Sequence, residues 1–115
     1  MKHIKSPALS AETGQKDPEV PEKGFVGYLR LKVFMPENQS LKDRRQTLEG
    51  LKKKVRNKFN ISVAQDGADT HKSSELFFVC ANYRKAQALE VLQNLENFII
   101  NSGQVHIIGL EKGVI

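Results

Sequence analysis

The sequence predicts an α+β sandwich of order β-α-β-β-α-β, with a four-stranded antiparallel sheet carrying two helices on one face. Three observations lead there. Two stretches place apolar side chains at helical spacing, and four shorter ones alternate or run apolar in the manner of strands. Each helical stretch stands between two strand stretches, which makes two β-α-β halves. The length is that of a single domain, 115 residues.

Phe25 to Met35 alternates, with Phe25, Gly27, Leu29, Leu31, Val33 and Met35 on one face and Val26, Tyr28, Arg30, Lys32 and Phe34 on the other. Period 2 marks a strand with one buried face. Pro36-Glu37-Asn38-Gln39 ends it. Ser40 then reads as a helix N-cap, with Asp43 three residues on to complete a capping box. Leu41, Leu48, Leu51, Val55 and Phe59 follow, within an arc of roughly 80° on a helical wheel. Asn57 to Asn60 leads out of the helix.

A second strand is expected from Asn60 to Gln65 and a polar loop from Asp66 to Ser73. Glu75 to Tyr83 is apolar on both faces, which fits a central strand. Ala86, Leu89, Val91, Leu92, Leu95, Phe98 and Ile99 define a second helix from about Lys85 to Asn101, closed by Ser102-Gly103. Val105 to Leu110 is the last strand. This order is that of a ferredoxin-like split β-α-β sandwich, whose second sheet face has no helices on it.

Residues 1–23 are expected to be a disordered tail ahead of a folded domain at 24–115. The tail holds three of the four prolines, balances four basic against four acidic residues, and shows no apolar period. No apolar run is long enough to span a bilayer, and no secretory leader is expected. The single cysteine, Cys80, leaves no internal disulfide and no multi-cysteine zinc site. A reduced, cytoplasmic protein is the expectation.

Three segments carry a family resemblance: Gly27-Tyr28-Leu29-Arg30-Leu31, Ser40-Leu41-Lys42-Asp43-Arg44-Arg45, and Val55-Arg56-Asn57-Lys58-Phe59-Asn60-Ile61-Ser62-Val63-Ala64. In order and spacing, from Gly24 to about Arg84, they resemble the YlxP-like proteins, a small bacterial family of unknown function. The resemblance implies a ferredoxin-like domain of this size and no established activity. Members are often encoded beside translation-initiation and ribosome-maturation genes, which associates the family with the ribosome. The departure is at Gln65 to Ser74, a short polar stretch without the tryptophan expected there.

Charge is concentrated. The chain's net charge is +5, yet Ser40–Lys58 alone holds eight basic residues against Asp43 and Glu49. On the wheel Lys42, Arg45, Lys52, Lys53 and Arg56 flank the apolar stripe, with Glu49 among them. Such a flank can track phosphates, releasing counterions at each contact. It is equally a solvated face, partly self-paired through Glu49 with Arg45 and Lys53. Arg44 lies inside the apolar arc, where its stem packs and its head needs a partner.

The uncovered sheet face is a second candidate. Tyr28, Arg30 and Lys32 interleave aromatic and cationic side chains, which can stack bases and hold phosphates. The third strand lacks the aromatic pattern of an RNA-recognition motif. The rival role for this face is homodimerisation, because Leu76, Phe77, Phe78 and Val79 leave apolar groups on both sides of that strand.

No catalytic constellation is evident. His3, His71 and His106 are scattered, Cys80 sits in an apolar strand, and the glycines form no phosphate loop. Acylphosphatases share the topology and use an arginine and an asparagine. Here Asn82 and Arg44 are the only counterparts, without the glycine-rich cradle. The sequence therefore reads as a non-enzymatic, cofactor-free basic module for structured RNA or the ribosome. Lys42, Arg45, Lys52, Lys53 and Arg56 are its expected phosphate contacts, and Tyr28, Arg30 and Lys32 the secondary ones. The alternatives are a homodimeric interaction module and an anion-handling enzyme.

Overall fold

A computed structural model of the chain describes residues 23–35, 40–66 and 73–115. The elements are β1 (Phe25–Phe34), α1 (Leu41–Lys58), β2 (Ser62–Asp66), β3 (Ser73–Asn82), α2 (Lys85–Ser102) and β4 (His106–Val114). They form one four-stranded sheet of order β2-β3-β1-β4 with antiparallel neighbours. This is the ferredoxin-like α+β fold. Residues 1–22 of the expected tail at 1–23, the turn at 36–39 and residues 67–72 of the expected loop at 66–73, with His3 and His71, lie outside the described residues, while Asp66 and Ser73 belong to β2 and β3.

The alternation in β1 sorts as its period requires. Leu29, Leu31 and Val33 are fully buried under the helices, while Tyr28, Arg30, Lys32 and Phe34 face the other way. β3 is central, and its inward residues Leu76, Phe78 and Cys80 join them. The helices contribute Leu48, Leu51 and Val55 from α1 and Ala88, Leu92, Leu95 and Ile99 from α2. Each large side chain removed from water here contributes about 1.5–3 kcal/mol, so this single layer between sheet and helices carries the fold.

Local chemistry sets the helix ends. The Asp43 N–H donates to Ser40 Oγ at 3.1 Å, and the Ser40 N–H donates to Asp43 Oδ2 at 3.4 Å. This reciprocal capping box starts α1 where the sequence placed it. No side chain caps α2, but Asn82 Oδ1 accepts the Arg84 N–H at 2.9 Å and turns the chain into the helix. α2 stops at Gly103, at φ 66°. This left-handed geometry favours a residue without Cβ.

The bounds of three strands differ from expectation. β2 is shifted to Ser62–Asp66, and β3 begins at Ser73 because it follows β1 as far as Phe34. β4 continues past Leu110 to Val114. Its tail, Glu111-Lys112-Gly113-Val114, has no apolar alternation, but β1 offers a full partner edge along Gly27 to Arg30. Pairing shifts register once, between Lys32 and Val33, and this bulge reverses the alternation of β4 midway. The closing backbone bonds join Val26 and Ile115 in both directions, at 2.7 and 2.9 Å.

Candidate nucleic-acid interface

The eight expected contact residues fall into two groups on opposite sides of the sheet. Lys42, Arg45, Lys52, Lys53 and Arg56 belong to α1, on the helix side, while Tyr28, Arg30 and Lys32 point from β1 to the uncovered side. A ligand that touches both groups has to pass around an edge of the sheet.

Within α1, Lys42, Arg45, Lys53 and Arg56 are exposed. Lys52 is not: its side chain is 11% exposed, and Nζ donates to Glu49 Oε2 at 2.7 Å. It lies about 40° around the wheel from Leu48, just beyond the apolar arc, and its stem packs with the stripe. The ion pair forms at i,i+3. Lys52, and after it Arg56, hold the Glu49 carboxyl below its ordinary value against the opposing effect of desolvation. The flank offered to a partner is therefore Lys42, Arg45, Lys53 and Arg56, with a neutralised Glu49–Lys52 pair between them. Arg44 is half-buried, as its place in the apolar arc requires. Lys54 and Lys58 point to the other flank, where Lys58 Nζ lies 5.7 Å from the Phe98 ring centre.

On the uncovered face, Tyr28 and Arg30 engage a third strand. Arg30 Nη1 donates to Glu111 Oε1 at 2.9 Å, and the guanidinium stands 4.9 Å over the Phe77 ring. The Tyr28 hydroxyl donates to Glu111 Oε2 at 3.5 Å, and its ring lies 6.4 Å from that of Phe77, tilted by 44°. Gly113 makes room beneath: a Cβ there would stand 3.0 Å from the Tyr28 hydroxyl. Glu111 is thus a part of this face that the sequence reading did not single out, and Phe77, named there only as an apolar group for dimerisation, is the platform under Arg30. Only the cross-strand register, with Arg30 opposite both, brings them together. Lys32 stays exposed, opposite Glu75.

Arg44 and Asn82, the pair considered for anion chemistry, sit toward opposite ends of β1. Asn82 is paired with Phe25, whereas Arg44 is in the first turn after Phe34. The length of β1, ten residues, separates the two ends. His106 is exposed at the start of β4. Cys80 is buried; desolvation pushes its thiol above the ordinary value, partly offset by a hydrogen bond with the Gly27 backbone. Among the described residues, no three His, Cys, Asp or Glu side chains gather to hold a metal, and no helix is long and apolar enough to cross a membrane.

Residues 26–112 match the family described as protein of unknown function (DUF503). The chain belongs to the DUF503 family. The matched span runs from the second residue of β1 into β4 and so takes in at least part of every described element. No curated protein matches the chain.

Proposed function

We propose that this DUF503 protein, whose segments also resemble the YlxP-like proteins, is a binding module for structured RNA such as the ribosome or its precursors. Its contact surface is the exposed flank of α1. One observation carries the reading: Lys42, Arg45, Lys53 and Arg56 are all exposed along one side of a helix that holds more net positive charge than the entire chain. Four cations on a rigid element give phosphates a preset spacing, and each contact releases condensed counterions.

The test is fluorescence anisotropy with a labelled RNA hairpin. Four phosphate contacts imply affinity that falls steeply, by roughly 50- to 150-fold, as salt rises from about 50 to about 200 mM. Absence of binding at low salt, or affinity indifferent to salt, would contradict the proposal.

A second reading concerns the uncovered sheet face. Val26 (40% exposed), Phe77, Val79 and Ala81 form an apolar area there with no helix over it. A homodimer through this face is compatible with RNA on α1, since the two surfaces lie on opposite sides. Light scattering that shows a monomer at high concentration would sink it; a dimer dissociated by Tyr28→Asp would support it.

A further inference from the structure

Resting on the RNA-binding reading above, we infer that the RNA is double-stranded where it meets α1, with the helix laid across a groove so that its two ends contact different strands. The exposed cations form a repeat. Lys42 and Arg45 stand three residues apart, and Lys53 and Arg56 repeat that spacing eleven residues later. Eleven residues are about three helical turns, so the second pair returns to the same flank, about 16 Å further along the axis. The one cation between the pairs on this flank, Lys52, is buried against the apolar stripe and bound to Glu49. The middle of the flank is Glu49, whose carboxylate is already held by Lys52 at 2.7 Å, which lowers its pKa from the ordinary value.

That pattern discriminates between ways of meeting a phosphate backbone. A single strand following the helix axis brings a phosphate over Glu49 and finds there a carboxylate and no free ammonium. A duplex groove puts its phosphates on the two rims and none in the middle. The rims of a groove are on the order of 12 Å apart in B-form DNA, and A-form RNA has a wide, shallow minor groove lined by 2′-hydroxyls. Lysine and arginine side chains are long enough to make up the difference. Glu49 then faces the groove floor, where hydroxyl and amino donors suit a carboxylate.

The experiment compares the full chain on a blunt RNA duplex and on one of its strands alone, an unstructured sequence of equal length, by anisotropy at matched salt. The duplex is expected to bind at least tenfold more tightly. Lys42→Glu with Arg45→Glu, and separately Lys53→Glu with Arg56→Glu, should each weaken the duplex by similar factors. Lys54→Glu, on the other flank, serves as the charge control and should weaken it far less. Circular dichroism checks that each variant is folded. Equal or tighter binding of the single strand overturns the groove geometry and leaves RNA binding standing. Loss confined to one pair overturns it as well. Failure to bind either RNA overturns the RNA-binding reading itself.

Discussion

Lys52 Nζ donates to Glu49 Oε2 at 2.7 Å, and that contact divides the basic flank of α1 into two separated pairs of cations. A helical wheel places Lys52 midway between Leu48 and Arg56, at the border of the apolar stripe and the basic flank. Packing separates it from Lys53 and Arg56, because Lys52 alone of the three has its stem in the apolar stripe with Leu48, Leu51 and Val55.

Charge reversal therefore has different consequences at neighbouring positions. Lys52→Glu puts a second carboxylate against Glu49 in a site only 11% exposed. It should destabilise the fold by about 2–3 kcal/mol. Lys53→Glu and Arg56→Glu, both exposed, should cost under about 1 kcal/mol each. Urea denaturation of the three variants measures this, and equal losses would show that Lys52 is not embedded.

The same pair gives a pH signature. Lys52 and Arg56 lower the Glu49 carboxyl in the folded chain from its ordinary 4.5. Its stabilisation is therefore fully present above that value and is lost as pH falls through the lowered one. Glu49 is 66% exposed, so the contribution is small, about 0.2–1 kcal/mol. Wild type should exceed Glu49→Gln in stability by that amount at neutral pH. The gap should close in strong acid, once the carboxyl is protonated in both folded and unfolded chains, and a gap that persists there would refute the assignment.

Gly103 ends α2 at φ 66° with open space where a Cβ would go. The cost of Gly103→Ala is therefore conformational, about 1–2 kcal/mol. Gly50→Ala is the contrasting variant: it also has open space, but lies in a helix interior. It should stabilise by about 0.5–1 kcal/mol. Thermal unfolding of both would show opposite shifts.

Cys80 should behave as a core residue. It is buried, and desolvation raises its thiol, so a disulfide reagent at neutral pH should label the native chain only as fast as it opens. In denaturant labelling should be immediate. Native labelling at the denatured rate would mean that the thiol is accessible.

Much of this was legible in the residues. The β1 alternation, the Ser40–Asp43 cap, the doubly apolar β3 and the Gly103 stop are local signals, and each falls where its period or turn chemistry put it. What was not legible depended on partners distant in sequence. β4 extends through Gly109, Glu111, Lys112 and Gly113 because β1 pairs with it, and the bulge opposite Lys32 breaks its alternation. Lys112 shows the same dependence: it reads as a surface cation, yet Nζ reaches Gln93 at 2.9 Å and Glu96 at 2.8 Å, tying β4 to α2. At the candidate interface, charge content was readable, and the burial of Lys52 had a short-range signal in its place beside the apolar arc and its i,i+3 spacing from Glu49. The seating of Arg30 between Glu111 and Phe77 has no signature at short range in sequence.

The most direct measurement of the central claim is the salt dependence of RNA affinity for wild type and for a variant with Lys42, Arg45, Lys53 and Arg56 all changed to Glu. The account predicts a steep wild-type slope, with each phosphate contact adding about 0.7–0.9 to its magnitude. The slope and the binding should collapse together in a variant that stays folded. A folded variant that binds as tightly as wild type, with the same slope, would contradict it.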